Sequence, residues 1–385
     1  MHLTFRIHHH LTAALILLTA THGQAQTWAD TLKELTDAGV LAGAVTLVAD
    51  THDILDIQTA GWADIQAQTP MTPDTLFWIA SMTKGITAAA LMILADEGKL
   101  TLDDPIAKHI PKLKDLWVLE HITPDRITLT KAKTPITIRQ LLSHTSGLPF
   151  LSPQEQKIDD MPLREKISIY AQPPLLTQPG TAYQYSNAGI NIAGRIIEIL
   201  SGIPYQDFLQ QRLLTPLGMT DTTFWPTPEQ ATRLALTHRP DTGRTRLETI
   251  PILHLTQPLT DRANRHPEPG GGLFSTARDV ARFCQMLLNN GTHDGQRLLS
   301  EEAIRALGTK QTPPAIPNTY GLGFETHPWG YSHGGAHGTH MAISPQHGLI
   351  TVYLIQHAGY TNEKKGNAAC GVFNELTLQQ YGKQE

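Results

Sequence analysis

The chain has 385 residues, of which 40% are hydrophobic and 17% charged, and its formal net charge is −5. This length can bury a large core in one large domain or two, and the composition is that of a globular protein. The small negative charge gives no basic surface, so we expect no nucleic-acid partner. The two cysteines, Cys284 and Cys370, are too few for a disulfide framework or a cysteine-built zinc site. They could form one bridge in an oxidising compartment, although two buried thiols are favoured.

The first 25 residues have the pattern of a cleavable signal peptide. Arg6 and a run of histidines precede an apolar segment at 11–20, and Gly23 and Ala25 occupy the two small-residue positions that a signal peptidase reads. The apolar segment is too short to span a bilayer, and no cysteine follows it that could carry a lipid. We therefore predict a secreted or periplasmic protein, cleaved near Ala25, with no stable membrane anchor.

The next part of the chain combines β-rich runs with helices. Residues 28–39 have the pattern of a short amphipathic helix, and the β-rich runs 40–49 and 54–60 flank a polar turn, which predicts a hairpin. Segment 86–95 is apolar on nearly every side. A helix with this pattern should lie buried between layers of the fold.

The remaining elements suggest a domain inserted into another. Residues 101–269 have mostly helical patterns separated by long loops, whereas the chain becomes β-rich after residue 319 and ends in a helix at 365–381. We therefore predict an α/β (α+β) fold in which residues 26–100 and 270–385 build a sheet domain. Residues 101–269 would form an inserted, mostly helical domain.

Ser81 and Lys84 stand three residues apart at the start of the apolar helix. In a helix this spacing places the hydroxyl and the amine on one face, one turn apart. A serine hydroxyl is a poor nucleophile until a base takes its proton, and an amine in an apolar setting can help do that. Alone the motif is weak, because a serine that caps the helix and a solvated lysine would give the same pattern.

Two later motifs could complete a site with Ser81 and Lys84. Tyr185 and Asn187, two residues apart on a turn, can face the same cleft, and a nearby lysine ammonium would favour the tyrosinate as general base and acid. A Gly-rich run lies between two predicted strands and comprises Tyr331-Ser332-His333-Gly334-Gly335-Ala336. Its backbone N–H groups, together with that of Ser81, could form an oxyanion hole.

In this order, the three motifs resemble those of the serine β-lactamase and penicillin-binding-protein superfamily. The middle Tyr-x-Asn motif is similar to that of the class C β-lactamase branch, which also includes carboxylesterases, D-alanyl-D-alanine carboxypeptidases and D-aminopeptidases. The resemblance covers about residues 28–380. It implies a β-lactamase/transpeptidase-like fold, with an antiparallel sheet flanked by helices and an inserted all-helical domain.

The resemblance also implies a role for each site residue. Ser81 would be the nucleophile that forms an acyl-enzyme, and Lys84 would lower the pKa of Tyr185 and share in proton transfer. Tyr185 would be the base for acylation and would then activate water for deacylation. Asn187 would hold a substrate amide or hydrogen-bond Lys84, and the N–H groups of Ser81 and Ala336 would form the oxyanion hole.

The third motif departs from the family pattern. Class C β-lactamases and carboxypeptidases usually carry Lys-Thr-Gly there, whereas this chain has His333-Gly334-Gly335. Histidine is mostly neutral at pH 7, so the anchoring of a substrate carboxylate is weakened and uncharged esters are favoured. We expect a serine hydrolase whose partner is a small-molecule or short-peptide acyl substrate, most simply a carboxylic ester. The alternatives are a class C-like β-lactamase, a D-alanyl-D-alanine carboxypeptidase or D-aminopeptidase, and a penicillin-recognising binding protein without turnover.

Two rival patterns occur in the same C-terminal stretch. The sequence around Ser332 matches G-x-S-x-G, the nucleophile elbow of α/β-hydrolases, but the acid and then histidine that this fold requires do not follow it. His333, His337 and His340 could suggest a metal site, but an alternating strand does not place all three on one face. We therefore expect no metal and no cofactor, and the sequence leaves the oligomeric state open.

Overall fold

A computed structural model of the chain describes residues 26–382, so the predicted signal peptide lies outside the described residues. The α-helices are α1 (Trp28–Asp37), α2 (Thr83–Asp96), α3 (Ile138–Leu142), α4 (Leu163–Tyr170), α5 (Asn187–Ser201), α6 (Tyr205–Leu209), α7 (Pro228–Ala231), α8 (Ala277–Leu288), α9 (Glu301–Gly308) and α10 (Glu363–Tyr381). Short 3-10 turns occur at Ala80–Met82, Ile106–Lys108, Pro111–Leu113 and Ala336–Gly338, and a π-helical turn at Gln210–Leu214.

The strands come from both ends of the chain and from the segment between them. They are β1 (Gly43–Ala49), β2 (Ile54–Asp64), β3 (Thr69–Pro70), β4 (Phe77–Trp78), β5 (Trp117–Thr123), β6 (Arg126–Lys131), β7 (Thr237–Pro240), β8 (Leu247–Ile250), β9 (Phe274–Ser275), β10 (Thr292–His293), β11 (Gln296–Arg297), β12 (Glu325–His327), β13 (Gly330–Gly334), β14 (His340–Ser344) and β15 (Leu349–Leu354).

One large antiparallel sheet joins the N-terminal and C-terminal strands. Its seven strands run in the order β12-β13-β14-β15-β1-β2-β3. The two ends of the chain meet where β1 pairs with β15, with Val45 opposite Leu354. Every residue of β1 is buried, as expected of a strand covered on both faces. The predicted antiparallel sheet flanked by helices is therefore confirmed.

Helices cover both faces of this sheet. On one face α1 and α10 pack together, with the Trp28 ring 5.1 Å from that of Phe373 and 6.2 Å from that of Tyr353 in β15. On the other face α8 packs against β1, β14 and β15, and α2 lies behind it in the largest apolar cluster. Apolar residues therefore cover both faces of the sheet.

Helix α2 lies at the centre of the molecule, as its all-round apolar pattern predicts. Every residue from Thr83 to Leu94 is buried, and α5, α6 and α9 contact it. The short strand β4 pairs with β9 immediately before the turn Ala80–Met82 that leads into α2. The buried first turn of α2 is thereby placed beside the segment that follows residue 267.

The prediction that the inserted domain is all-helical was wrong. Residues 101–269 contain α3 to α7, but they also contain the hairpins β5–β6 and β7–β8. In the first hairpin, β-branched and aromatic residues flank the turn at Pro124 and Asp125. The local sequence therefore favours two strands and a turn rather than a helix. The boundaries of the inserted domain at residues 101 and 269 stay a prediction.

None of the helices within residues 26–382 is both long and apolar enough to cross a membrane. Cys284 in α8 and Cys370 in α10 are both free thiols, the first buried and the second half-buried.

Two glycine substitutions test the packing of α2. In Gly85→Ala the new Cβ would lie 2.4 Å from the Phe324 ring, so we expect a loss of about 1–3 kcal/mol in the free energy of unfolding. Gly371→Ala is the matched control in α10, because a Cβ there meets nothing within 4 Å and Ala is the better helix former, worth up to about 1 kcal/mol. Urea denaturation followed by circular dichroism measures both, and equal effects would contradict the contact between Gly85 and Phe324.

Candidate active site

Ser81 lies in the 3-10 turn that introduces α2. The residue before it, Ala80, has φ +46°, a left-handed conformation that costs free energy for a residue other than glycine. The Thr83 hydroxyl donates to the Ala80 carbonyl at 2.6 Å and holds this turn closed. The cap position of α2 is Met82, which makes no side-chain capping bond. Ser81 is therefore not the helix cap, and its hydroxyl is left for other partners.

Lys84 is fully buried beside Ser81. Its Nζ lies 3.0 Å from Ser81 Oγ, and it also donates a hydrogen bond to the backbone carbonyl of Gly270. Burial disfavours the ammonium form and lowers the pKa of Lys84 to about 7, while the negative charge of Glu268 opposes this change. An amine with such a pKa can accept a proton at neutral pH, as a general base must.

Tyr185 reaches the same hydroxyl from the segment before α5. Its side chain shares a hydrogen bond with Ser81, and Lys84 Nζ lies 4.8 Å from the centroid of its ring. Burial raises the pKa of Tyr185, and the bond with Ser81 only partly opposes this. The lowering of the Tyr185 pKa that was expected from Lys84 is not seen, because burial determines the direction and Lys84 is not among the groups that shift this pKa.

His144 holds the Tyr185 segment in place, and sequence reasoning did not single it out. Its Nδ1 accepts the Ser186 N–H at 3.2 Å, and its carbonyl accepts the Gln184 N–H at 2.7 Å. The His144 ring also lies 4.4 Å from the Tyr185 ring. Burial keeps the pKa of His144 well below its usual value, so the ring is neutral. The only sequence signal was its place in a polar run directly after α3.

Asn187 is the first residue of α5 and is buried. Its side chain packs on Gly270, where an added Cβ would lie 3.0 Å from Asn187 Cγ. Its Oδ1 is buried without a hydrogen-bond partner among residues 26–382, and Lys84 donates to Ser81 and Gly270 instead. A buried acceptor of this kind is available to a substrate N–H, and the substrate-binding role of Asn187 stays a prediction.

The end of β13 closely approaches the turn around Ser81. A Cβ on Gly335 would lie 2.4 Å from the Ile79 carbonyl oxygen, so only glycine fits there. The Thr339 hydroxyl donates to that same carbonyl at 3.2 Å, and the turn that begins at Ala336 contacts the turn around Ser81. N–H groups in the first turn of a helix lack intrahelical acceptors. The predicted pairing of the Ser81 and Ala336 N–H groups is compatible with this arrangement.

His333 is held inside the protein rather than presented to the cleft. Its Nδ1 donates to the Gly334 carbonyl at 2.6 Å, and because burial lowers its pKa to about 3 the ring is neutral. Its Nε2 is therefore an acceptor, and the Tyr320 hydroxyl donates to it at 2.9 Å. Both ring nitrogens have partners and the residue is 3% exposed. His333 cannot supply a cation to a substrate carboxylate at neutral pH.

The two rival patterns do not form sites. Ser332 lies inside β13 at 2% exposure, where its hydroxyl pairs with His327 Nε2 at 2.8 Å, rather than on the strand-to-helix turn that a nucleophile elbow needs. The part of the chain from residue 26 to 382 contains no group of three or more His, Cys, Asp or Glu side chains that could hold a metal ion.

The fold and the Ser81–Lys84–Tyr185 cluster define a β-lactamase/transpeptidase-like protein. The chain belongs to the β-lactamase family, whose model matches residues 28–369, and so to the superfamily of serine β-lactamases and penicillin-binding proteins. Members of this superfamily are serine acyl-transferring hydrolases that include esterases, carboxypeptidases and β-lactamases.

Three similar proteins illustrate this membership. An uncharacterized protein of Mycobacterium tuberculosis is 36% identical over 361 residues, which cover 85% of this chain and 88% of the relative. The esterase EstB of Burkholderia gladioli is 30% identical over 310 residues, or 73% of this chain and 75% of the relative. The structure of simvastatin synthase (LovD) from Aspergillus terreus superposes with a TM-score of 0.76 at 22% identity, covering 93% and 98% of the two chains.

The hydrogen bond from Tyr320 to His333 gives a testable consequence. In Tyr320→Phe the buried Nε2 of His333 loses its donor, which should lower the free energy of unfolding by about 1–3 kcal/mol. Tyr331→Phe is the matched control, because the Tyr331 hydroxyl is buried without a partner among the described residues and its removal should cost little. Urea denaturation of both variants makes the comparison, and a Tyr320→Phe variant as stable as Tyr331→Phe would contradict this role.

Proposed function

We propose that this protein is a serine hydrolase that forms an acyl-enzyme on Ser81 and acts on uncharged carboxylic esters or related acyl compounds. The observation that carries the proposal is the contact of both Lys84 and Tyr185 with the Ser81 hydroxyl, at the start of helix α2. The family membership supports the reaction class. The signal-peptide pattern of residues 1–25 supports action outside the cytoplasm.

In the acylation step Lys84 is the base. Ser81 Oγ attacks the ester carbonyl carbon, its proton passes to the lone pair of Lys84 Nζ, and the carbonyl electrons move onto the oxygen. The N–H groups of Ser81 and Ala336 stabilise that oxygen. Because the pKa of Lys84 lies at about 7, the amine is available at neutral pH. The bond to Gly270 keeps it aimed at Ser81.

Tyr185 then serves as the proton donor to the leaving group. When the tetrahedral intermediate collapses, the C–O bond to the alcohol breaks and the alkoxide takes the Tyr185 proton. Lys84 then gives Tyr185 the proton that it accepted from Ser81. The raised pKa of Tyr185 suits this task, since the residue begins and ends each step as a neutral phenol. Deacylation repeats the sequence in reverse with water in place of the alcohol.

The neutral third motif favours uncharged substrates over carboxylates. Burial lowers the pKa of His333 to about 3, and its two ring nitrogens bind Gly334 and Tyr320. A substrate carboxylate placed beside this strand would lose solvent without gaining a counter-charge from His333, which is costly. Peptide C-termini and β-lactam carboxylates are therefore less suited to the cleft than neutral esters.

Covalent labelling tests the nucleophile. A fluorophosphonate probe should add to the peptide that contains Ser81, and Ser81→Ala should abolish the adduct, because no other hydroxyl is hydrogen-bonded to Lys84 among the described residues. Mass spectrometry of the digested protein locates the adduct. Ser332→Ala is the matched control for the rival motif and should label as the wild type does. An adduct that persists in Ser81→Ala would refute the assignment.

A matched pair of esters tests the preference for neutral substrates. We expect kcat/KM for dimethyl adipate to exceed that for monomethyl adipate at pH 7.5 by about tenfold or more per ester group, since an unpaired carboxylate costs at least about 1.4 kcal/mol. Acid release measured in a pH-stat gives both values. Equal or reversed values, or rapid turnover of nitrocefin or of a D-alanyl-D-alanine peptide without ester hydrolysis, would favour a β-lactamase or carboxypeptidase instead.

A further inference from the structure

Behind Lys84 lies a buried cluster of three charged side chains that the acyl-transfer scheme does not use. Lys166 in α4 pairs with Glu268 at 2.6 Å and with Glu155 at 3.0 Å, and all three side chains have no exposed surface. Lys166 also donates to the Ile158 carbonyl. Burying charges in this way is costly, and such clusters are weak contributors to stability, so another role has to be considered.

Glu268 is connected to Lys84 by three hydrogen bonds that pass through Asn191 and Gly270. Asn191 Nδ2 donates to Glu268 Oε1 at 2.7 Å, and Asn191 Oδ1 accepts the Gly270 N–H at 3.1 Å. The Gly270 carbonyl in turn accepts from Lys84. The Asn191 side-chain amide and the two peptide groups that flank the Gly270 Cα thus join the buried carboxylate to the amine that faces Ser81.

Electrostatic interactions also connect Glu268, but not Glu155, to Lys84. Lys166 faces the carboxyl groups of both Glu155 and Glu268. Glu268 opposes the lowering of the Lys84 pKa by burial, whereas Glu155 is not among the groups that act on Lys84. Burial raises the pKa of Glu268 to about 7, opposed by Lys166.

The groups that face these two residues come from several elements. Around Lys84 they are Ser81, Tyr185, His144, His333 and Glu268. Around Glu268 they are Lys84, Lys166, Glu155, Asn191, Tyr170 and Tyr205.

We propose that Glu268 is a positioning residue for the acyl transfer at Ser81, which stabilises the ammonium form of Lys84 and, through Asn191, fixes the Gly270 carbonyl that orients it. The inference rests on the proposed function. When Ser81 Oγ bonds to the acyl carbon, its O–H bond breaks, its proton goes to the lone pair of Lys84, and Glu268 lies within reach of the charge that forms. Glu268 itself touches neither the substrate nor Ser81.

Two variants with the same change of charge test this role. Glu268→Gln should lower kcat about tenfold with KM within about twofold, because a weaker base transfers the proton less well. It should also move the acid limb of the kcat/KM profile to lower pH by about one unit, since Lys84 loses the charge that favours its protonated form. Glu155→Gln replaces the other carboxyl group beside Lys166 and should leave the midpoint of the acid limb within about 0.3 pH unit of the wild-type value.

The readout is the pH dependence of kcat/KM for a neutral ester between pH 5 and 9, on variants shown to be folded by circular dichroism. Identical limbs for Glu268→Gln and Glu155→Gln would overturn the proposal, because a merely structural cluster would respond equally to both. A wild type that is not labelled on Ser81 and hydrolyses no acyl substrate would instead refute the proposed function.

A second pair of variants keeps the proposal testable if Glu268→Gln does not fold. Asn191→Ser keeps every charge but breaks the connection from Glu268 to Gly270, so kcat should fall about tenfold with KM within about twofold. Tyr170→Phe removes the hydroxyl that Asn191 and Glu155 share and leaves that connection intact, so its kcat should stay near wild type. Equal kcat values for these two variants would overturn the proposal.

Discussion

The buried amine of Lys84 is the constraint on which the rest of the site depends. A lysine in the first turn of a helix is normally solvated, but here the helix is surrounded by the core and the amine has no exposed surface. Loss of solvent makes the uncharged amine accessible at neutral pH, and a buried amine needs hydrogen-bond partners. Ser81 and the Gly270 carbonyl are those partners, so the segment after residue 267 has to pass directly beside the turn around Ser81.

The neutral third motif is compatible with the same requirement. A lysine at residue 333 would place a second buried cation near Lys84, whereas the histidine there is uncharged and has both nitrogens bound within the protein. The positive charge of Lys84 already contributes to keeping His333 deprotonated. The strand can therefore pack tightly against Ile79 through Gly335 without electrostatic conflict. On the proposed function, substrate recognition at this strand would depend on backbone groups and on shape rather than on a permanent charge.

Local sequence pattern was sufficient for the parts of the site that lie on one element. The spacing of Ser81 and Lys84 predicted that the two side chains meet, and the all-round apolar pattern of α2 predicted a buried helix. The two β-rich ends of the chain predicted the shared sheet. Contacts between distant segments were not predictable in this way. Gly270 lies 186 residues from Lys84 and reads locally as part of a tight turn. The direction of the Tyr185 pKa was also missed, because burial, which disfavours the phenolate, was not considered.

A site built on a buried lysine works only if the added proton can be accommodated. Burial lowers the pKa of Lys84 to about 7 and raises that of Glu268 to about 7, and the negative charge of Glu268 favours the charged form of Lys84. A proton that leaves Ser81 can then be held on Lys84 without a large electrostatic cost. Ordinary values for both groups would keep Lys84 permanently charged and unable to accept that proton. The desolvation that makes these residues expensive to bury is thus what makes the proposed proton transfer possible.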